Sequence, residues 1–240
     1  MSECPFLCCP SGDDCNDMKK QTESTLTSDL WGSNEYLKEI GEYNLKISRY
    51  RTIEDPVEDA MDTLSHKKYF PCLELFSGVS AHIIRDKLVR KYAWAIPTLE
   101  ALTAIAKYPS IVEIGAGTGY WAYLLKGMGV DVVCYDIAIE NKPPENVWHF
   151  IENGDEKRVD EHADRALFLC WPNYATPMAA NCLKRYKGDT LIYIGEGSEG
   201  CTGDGEFHEI LENEWCVIET IEILKWSGIH DHLWIYHRNQ

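Results

Sequence analysis

Three glycines on alternate positions are the residues of this sequence whose type and spacing point most directly to chemistry. Gly115, Gly117 and Gly119 follow the apolar run Ile111–Ile114 and precede an amphipathic stretch that begins at Trp121. A strand, a glycine turn and a helix in this order leave backbone N–H groups and a helix N-terminus where a small ligand can be held close to the main chain. The turn therefore predicts a nucleotide-type site.

The spacing of the glycines distinguishes two families that use such a turn. The dinucleotide-binding fingerprint has glycines at the first, third and sixth places, whereas Tyr120 stands at the sixth place here. Glu113 lies two places before the first glycine, and Ala116 separates the first two. This Glu-x-Gly-x-Gly-x-Gly pattern resembles the first motif of Rossmann-like (class I) S-adenosylmethionine (SAM) dependent methyltransferases. A NAD site and a purely structural turn are the alternatives.

An acidic residue ends the next predicted strand. The apolar, β-branched run 130–135 leads into Asp136. Because the carboxyl ends of adjacent parallel strands lie side by side, Asp136 should face the same crevice as the glycine turn. A carboxylate there can accept hydrogen bonds from both ribose hydroxyls of a nucleoside. NAD enzymes share this feature, so it indicates a nucleoside rather than SAM in particular, and a solvated loop Asp is the alternative.

Composition narrows the class of protein. The 240 residues, 45% of them hydrophobic, suit one large domain or a core with an appended part. The net charge of −16 and the lack of a basic run argue against a bulk nucleic-acid partner. Neither an apolar run long enough to span a membrane nor a secretory signal is present. Cysteines within or beside predicted strands, Cys134, Cys170 and Cys216, indicate a reduced compartment, and we expect a cytoplasmic protein.

The chain divides into three predicted parts: a flexible tail over residues 1–30, a helical cap over 31–96, and a SAM-binding core over 97–240. The tail carries four cysteines without the paired spacing of structural zinc sites, so zinc binding and acylation are alternatives to a plain tail. They are Cys4, Cys8, Cys9 and Cys15. Within the cap and the start of the core, helices are expected over 34–51 and 56–68, from Ser80 as N-cap, and from Pro97 to Tyr108. The resemblance implies that the cap covers the cofactor and shapes the acceptor pocket.

An aromatic run precedes the core. Tyr92 and Trp94 are either core aromatics between two helices, or lie near the methionine end of SAM, where an electron-rich ring favours the sulfonium cation. A third strand is expected over Val147–Ile151. In the family, the end of this strand often supplies an acid or amide to the adenine amino group, and the resemblance implies Asp155 for that role.

The fourth predicted strand, Ala166–Cys170, is continuously apolar and therefore buried. It leads into Trp171-Pro172-Asn173-Tyr174, where family members that methylate amino nitrogens often carry Asn/Asp/Ser-Pro-Pro-aromatic. Pro172 and Tyr174 match that pattern, while Trp171 and Asn173 depart from it. A specificity for amino nitrogens therefore cannot be transferred from the family to this chain, although a backbone carbonyl and an aromatic wall could still contact an acceptor here. A structural turn is the alternative.

Loops after the later strands supply candidate bases. Glu196 stands in a glycine-rich loop after the predicted strand Thr190–Ile194, and His230 and His232 precede the predicted last strand, 233–236. The two histidines would share one face, but spacing indicates no third metal ligand. An acceptor hydroxyl would need a base, whereas for an amine or thiol the loss of a proton to water can suffice.

These patterns predict an α/β fold. We expect a doubly wound, mostly parallel seven-stranded Rossmann-like sheet with an antiparallel last strand and an N-terminal helical extension. The resemblance implies a SAM-dependent methyltransferase that acts on a small molecule or a protein side chain. A non-catalytic SAM-binding regulatory or scaffold subunit and a nucleic-acid methyltransferase are the alternatives. Predicted catalytic residues are Trp171, Tyr174 and Glu196. Predicted cofactor-binding residues are Glu113, Gly115, Ala116, Gly117, Gly119, Asp136, Asp155, Cys170 and Tyr92.

Overall fold

The computed structural model describes residues 34–40, 79–137, 147–226 and 228–239. The predicted tail, the helix predicted over 56–68 and most of the helix predicted over 34–51 lie outside these ranges. Residues 35–40 of the latter are helical. The division of the chain into tail, cap and core stays a prediction.

The elements are numbered here in chain order within the described residues. The helices are α1 (Val79–Lys91), α2 (Leu99–Ile105), α3 (Tyr120–Gly127), α4 (Met178–Arg185) and α5 (Gly205–Glu214), with a 3-10 helix over Glu156–Glu161. The strands are β1 (Ser110–Ile114), β2 (Asp131–Asp136), β3 (Glu152–Asn153), β4 (Ala166–Cys170), β5 (Thr190–Gly195), β6 (Trp215–Glu222) and β7 (His232–Arg238). None of the helices in these parts of the chain has the length and apolar character that crossing a bilayer requires.

The strands found in the described residues form one seven-stranded sheet in the order β3-β2-β1-β4-β5-β7-β6. Strands β1 to β5 pair in parallel, and β7 runs antiparallel to both of its neighbours, β5 and β6. Residues 35–40 and α1 precede the sheet as helical segments. The fold class predicted from the sequence is confirmed.

Alternation along the central strands builds a hydrophobic core on each face of the sheet. Phe168 of β4 packs in a cluster with α2 and α3, whereas its neighbours Leu167 and Leu169 pack in a second cluster with α4 and α5. Because successive side chains of a strand point to opposite faces, a strand covered by helices on both sides must be apolar throughout. The sheet is therefore doubly wound, and its carboxyl edge lies between the two helical layers.

The third strand differs from the sequence prediction. A strand was expected over Val147–Ile151, but β3 consists of Glu152 and Asn153 alone. Residue 148 explains the difference, because its hydrogen bonds go elsewhere. The backbone N–H of Trp148 donates to the carbonyl of Thr118 at 2.8 Å, and its indole N–H donates to the carbonyl of Lys91 at 2.7 Å. The segment is thus tied to the glycine turn and to α1 instead of pairing with β2.

Two predicted helix starts were wrong. Ser80 lies inside α1 and is not its N-cap. Helix α2 begins at Leu99, two residues after Pro97, because Thr98 is the N-cap and its hydroxyl oxygen accepts a hydrogen bond from the N–H of Ala101 at 3.2 Å. That bond satisfies the backbone N–H of Ala101 in the first turn of the helix, as the side chain of an N-cap residue does.

Candidate functional site

The turn between β1 and α3 has the backbone conformation that only glycine adopts without strain. Gly115, Gly117 and Gly119 have φ angles of 77°, 61° and 74°. The N–H groups of Gly115 and Ala116 donate to the carbonyl of Tyr135 at 2.9 and 3.1 Å, which fixes the turn against the end of β2. Gly119 then serves as the N-cap of α3 without a side-chain cap. The sequence-predicted turn residues are therefore held together at the carboxyl edge of the sheet.

Gly117 is the glycine of this turn where the described residues leave the most room beside the α-carbon. A Cβ added at Gly117 would meet no atom of the described residues within 4 Å, whereas one at Gly119 would lie 3.2 Å from side-chain atoms of His149 and Ile151. The N–H of Gly117 donates to Oδ2 of Asp136 at 2.8 Å. Asp136 is half-buried at the end of β2. The structure thus brings together the glycine turn and the acid that the sequence placed in one crevice.

Glu113 and Cys170 lie at the ends of the two central strands. Glu113 is 1% exposed and is in register with Cys134 of β2 and Phe168 of β4. Cys170 is the last residue of β4. Burial raises the pKa of its thiol well above the ordinary value, and the charges of Glu113 and Asp231 add to the effect. The thiol is therefore neutral and behaves as a small apolar group at the carboxyl edge of the sheet.

The end of β3 presents two polar residues with different surroundings. Asp155 is the N-cap of the 3-10 helix, where one of its oxygens accepts from the N–H of Lys157 at 3.0 Å and the other lies 3.2 Å from Nζ of Lys157. These hydrogen bonds lower the pKa of Asp155. Asn153 is exposed and lies in register with Asp136. Because β3 ends at Asn153, two residues later than the predicted strand end at Ile151, Asn153 lies at the strand end and Asp155 follows it. The role of Asp155 stays a prediction.

Tyr92 lies in a buried aromatic cluster. Its ring is inaccessible to solvent, with ring centroids 4.8 Å from Tyr36 and 5.3 Å from Trp148, both nearly parallel to it. Its hydroxyl donates to Oε1 of Glu39 at 2.9 Å, and its carbonyl accepts from the hydroxyl of Thr118 in the glycine turn. Tyr92 thus joins the N-terminal helices to the turn through its backbone, in agreement with the core alternative for its ring.

Trp171 adopts a backbone conformation that a bulky residue rarely adopts. Its φ of 53° is positive, and no other non-glycine residue in the described ranges has a positive φ. Three contacts hold it: its N–H donates to the carbonyl of Ile194 at 2.8 Å, its indole N–H donates to Oδ2 of Asp231 at 2.8 Å, and its ring stacks on Trp94 with centroids 4.8 Å apart. Strain of this kind is maintained by surroundings and is frequent at functional sites.

Asp231 is a buried acid beside Trp171. It directly precedes β7, at the edge where β7 lies against the end of β5, and is 1% exposed. Burial raises its pKa to about 7, with a further upward contribution from Glu196, while the hydrogen bond from Trp171 and the charge of Lys225 act in the opposite direction. An acid with a pKa near neutrality is suited to proton transfer. The sequence analysis considered the flanking histidines but missed Asp231.

Glu196 has a different environment, although it is also buried. Its Oε2 accepts from the N–H of Cys201 at 2.8 Å, and its Oε1 accepts from the N–H of His230 at 2.7 Å. Burial acts to raise its pKa, but the hydrogen bonds from Cys201 and His230 outweigh burial, and the pKa is lowered. The carboxylate therefore stays charged and ties the loop after β5 to the residues before β7. Glu196, which the sequence predicted as a base, therefore has both of its carboxylate oxygens in hydrogen bonds within the protein.

Tyr174, His230 and His232 lie nearer to the protein surface than Asp231. Tyr174 is 60% exposed, and its neighbour Asn173 forms an isolated bridge with Thr202 of the loop after β5. The His230 side chain is 83% exposed. Nδ1 of His232 contacts the carbonyl of His230 at 2.9 Å. Among the described residues, no three His, Cys, Asp or Glu side chains are grouped so that they could hold a metal ion.

The edge thus has two parts, named here by their residues. The glycine-turn side comprises Gly115 to Gly119, Asp136 and Asn153. The indole side comprises Trp94, Trp171, Glu196 and Asp231. Ile137, which follows Asp136 and is 72% exposed, adds an apolar surface to the glycine-turn side that the sequence analysis did not mention. Its position directly after the strand-ending acid was the signal available in the sequence.

The strand order, the antiparallel β7 and the glycine turn after β1 define a Rossmann-like fold of the kind that class I methyltransferases have. No family model matches the chain. No curated protein matches its sequence.

Solved structures match the chain only in outline. The chain is similar to the N-methyltransferase NodS from Bradyrhizobium japonicum WM9 in complex with S-adenosyl-L-homocysteine, with 14% identity over 58% of this chain and 86% of that chain and a TM-score of 0.41. It is also similar to a protein in the NADB-Rossmann superfamily from Streptococcus agalactiae, with 15% identity over 62% of this chain and 72% of that chain and a TM-score of 0.41. An rRNA methylase from Streptococcus thermophilus is similar with 13% identity over 59% of this chain and 96% of that chain and a TM-score of 0.38. Similarity this low carries no information on activity, which must be inferred from the residues of the site.

Proposed function

We propose that the chain is a SAM-dependent methyltransferase that binds SAM on the glycine-turn side and its acceptor, a small molecule or a protein side chain, on the indole side. The observation that carries the proposal is the arrangement at Gly117. Its N–H donates to the carboxylate of Asp136 at the adjacent strand end, and a Cβ at Gly117 would meet no described atom within 4 Å. A glycine turn and an acid so placed are the elements that hold a nucleoside at the edge of a parallel sheet.

The residues of the glycine-turn side fit the parts of SAM. In the proposal, the turn from Gly115 to Gly119, with Ala116, approaches the amino-acid part, and Asp136 accepts from the ribose hydroxyls. The amide of Asn153 or the carboxylate of Asp155 receives the adenine amino group, and Ile137 provides an apolar contact for the base. Glu113, which is buried in β1 two residues before Gly115, supports the turn. The neutral thiol of Cys170 borders the site.

SAM supplies an activated methyl group on a sulfonium sulfur, so the protein needs no residue to activate the donor. The protein's contribution is to exclude water and to align the acceptor with the methyl group. Orientation of this kind can contribute roughly 7 to 11 kcal/mol to lowering a barrier. Trp171 and Tyr174 are the proposed aromatic walls of the acceptor site. Glu196 orders the loop beside them.

The N-terminal helices are proposed to act as a cap over this site. Asn34 supports this role, because its side-chain N–H donates to the carbonyl of Pro97 at 3.0 Å and its Oδ1 accepts from the hydroxyl of Tyr120, the first residue of α3, at 3.1 Å. The indole N–H of Trp148 donates to the carbonyl of Lys91 in α1. These bonds connect residues before the sheet to the glycine turn and its helix. A reduced, cytoplasmic setting is also part of the proposal, supported by the free thiols of Cys134 and Cys182 in the core.

Calorimetric titration of the full-length chain with SAM, S-adenosylhomocysteine (SAH) and NAD in parallel tests the proposal. We expect micromolar binding of the two sulfur nucleosides and none of NAD. Binding of NAD alone would replace the methyltransferase proposal with a dinucleotide enzyme, and the absence of binding by either sulfur nucleoside would reject it. SAM binding without SAH formation across acceptors would favour the non-catalytic alternative.

A further inference from the structure

Asp231 has an oxygen whose hydrogen bond is not supplied by the protein. Its Oδ2 accepts from the indole of Trp171, but Oδ1 has no hydrogen-bond partner among the described residues. The residue is 1% exposed, so bulk water does not solvate this oxygen freely. Leaving a buried charged acceptor unsatisfied is costly, and such a group in a native fold calls for an explanation. A ligand that donates a hydrogen bond to Oδ1 would provide one.

The groups beside Asp231 favour a cationic donor. Trp171, which donates to Asp231, stacks on Trp94 with an interplanar angle of 8°, and Trp94 is 46% exposed, so part of this indole pair is accessible to a ligand. Indole faces attract ammonium groups, and the attraction increases when the cation is shielded from water. A carboxylate attracts the same group and accepts its N–H in a charge-assisted hydrogen bond. Both features select a protonated nitrogen over an anion or a neutral hydroxyl.

The charged groups around Asp231 come from several elements. Glu196, at the end of β5, and Lys225, after β6, influence it in opposite directions. Tyr36, Cys170, Tyr193 and Cys201 are the further titratable groups whose pKa values its charge affects, and burial is the largest cause of the increase in each. These phenols and thiols are neutral near pH 7. A bound ammonium would therefore add the positive charge that stabilises Asp231 as a carboxylate.

We propose that the methyl acceptor is an amine, held by an N–H to Oδ1 of Asp231 and by the faces of Trp94 and Trp171, and that Asp231 takes the proton released on methylation. This inference rests on the proposed function and specifies its acceptor class. Trp171 is a positioning residue, because its indole N–H fixes Oδ2 and leaves Oδ1 without a partner among the described residues.

The proposed step balances in atoms and charge. The bound ammonium first loses a proton to solvent, which has access to the exposed part of Trp94. The nitrogen lone pair then forms a bond to the methyl carbon, the bond from that carbon to sulfur breaks, and its electron pair stays on sulfur. The N–H proton of the methylated product passes to Oδ1 of Asp231 and from there to solvent. No oxidant, reductant or further reactant is required.

Three probes that differ only in charge and donor test the inference on the full-length chain saturated with SAH. They are 2-phenylethylamine, 2-phenylethanol and phenylacetate, each titrated by calorimetry. We expect the amine to bind at least about 10-fold more tightly than the alcohol, which is the lower end of the effect of a hydrogen bond to a charged group. Phenylacetate should not bind. With SAM in place of SAH, the amine should also yield SAH.

Asp231→Asn provides the matched variant, since it keeps the size and removes the charge. It should abolish the preference for the amine and leave the SAH affinity within about twofold of wild type, which also shows that the variant folds. In the wild type, amine affinity should increase with pH through the titration of Asp231, and the variant should lack this dependence. Trp171→Phe keeps the ring and removes the indole donor, and it should weaken amine binding without changing SAH binding.

The outcomes separate the inference from the function on which it rests. If SAH binds but the amine binds no more tightly than the alcohol, or not at all, the inference is overturned and the methyltransferase proposal stands. The same conclusion follows if Asp231→Asn retains the amine preference. Failure of SAH and SAM to bind would instead reject the proposed function itself.

Discussion

The two sides of the carboxyl edge are built by different means. The glycine-turn side uses main chain: positive φ angles at Gly115, Gly117 and Gly119 and backbone N–H groups aimed at strand ends. The indole side uses side chains, with a strained Trp171 and two buried carboxylates. Main-chain sites are visible in a sequence because glycine is required at set positions. Side-chain sites depend on burial, which the tertiary structure alone decides.

The same contrast exists between the two carboxylates of the indole side. Glu196 and Asp231 are both buried, yet backbone N–H groups satisfy both oxygens of Glu196, whereas Asp231 receives one indole N–H. Their pKa values are displaced in opposite directions as a result. Two acids whose environments separate their pKa values commonly have separate roles. Here Glu196 ties the loop after β5 to the residues before β7, and proton transfer is the role proposed for Asp231.

The largest expected effect tests this difference through stability. Because the pKa of Asp231 is raised from 3.8 to about 7, the folded protein retains a proton that the unfolded chain releases. The contribution of Asp231 to wild-type stability should therefore fall as pH rises from about 4 to about 7. At pH 8 the penalty approaches about 4 kcal/mol of unfolding free energy, from the conversion of a pKa shift into energy. Asp231→Asn removes the charge and should be more stable than wild type at pH 8, with a smaller gain at pH 5.

Urea denaturation at both pH values measures this effect. The exposed Asp164→Asn is the matched control, and it should leave the difference between pH 5 and pH 8 as in wild type. Equal stability changes for Asp231→Asn at the two pH values would contradict the assignment of a buried, proton-retaining acid.

Glu196→Ala should have the next largest effect and the opposite sign. The N–H groups of Cys201 and His230 lose a charged acceptor, so unfolding free energy should decrease by about 3 kcal/mol. Glu196→Gln keeps one acceptor oxygen and should lose less. Urea denaturation gives the stability, and calorimetry with SAM checks that the glycine-turn side is unchanged. A decrease in SAM affinity larger than the loss of folded protein can account for would show that the glycine-turn side and the indole side are not independent.

Asp136→Ala tests the glycine-turn side directly. It removes the proposed acceptor of the ribose hydroxyls and should weaken SAM binding by about 1.5 to 3 kcal/mol, or roughly 10- to 150-fold. Asp131→Ala is the control, because Asp131 lies at the other end of β2 and pairs with Arg165 at 2.6 Å. Calorimetry measures both. Unchanged affinity in Asp136→Ala would remove this residue from the site.

Trp94→Ala should have the smallest effect. A stacked aromatic pair contributes about 1 kcal/mol beyond the apolar area that it buries, so stability should decrease by at least about that amount. SAM affinity should not change, since Trp94 is assigned to the indole side. Trp94→Phe retains a ring and should lose less. A marked decrease in SAM affinity in calorimetry would instead support the sequence-based alternative that Trp94 lies near the sulfonium.

Much of the fold could be predicted because the central strands carry their own signal. Ala166–Cys170 was predicted with its observed bounds, since a strand buried on both faces is apolar at every position. The glycine turn and the acid at the end of β2 were also placed together correctly. These features depend on the identity of neighbouring residues, which the sequence states directly.

The rest depends on contacts between distant parts of the chain. Val147–Ile151 is apolar enough for a strand, but the hydrogen bonds of Trp148 to Thr118 and Lys91 determine its path. Asp231 stands between two histidines and looks like a solvated loop residue until β7 lies against β5 and buries it. The positive φ of Trp171 likewise follows from its three contacts and not from its residue type.

The stack of Trp94 on Trp171 has an optical consequence. Two indoles that lie nearly parallel with centroids 4.8 Å apart couple their electronic transitions. Such coupling produces a pair of circular dichroism bands of opposite sign, which are sensitive to the angle and separation of the rings. The indole pair is therefore an intrinsic spectroscopic reporter on the indole side, and binding of the proposed acceptor there can be followed without a label.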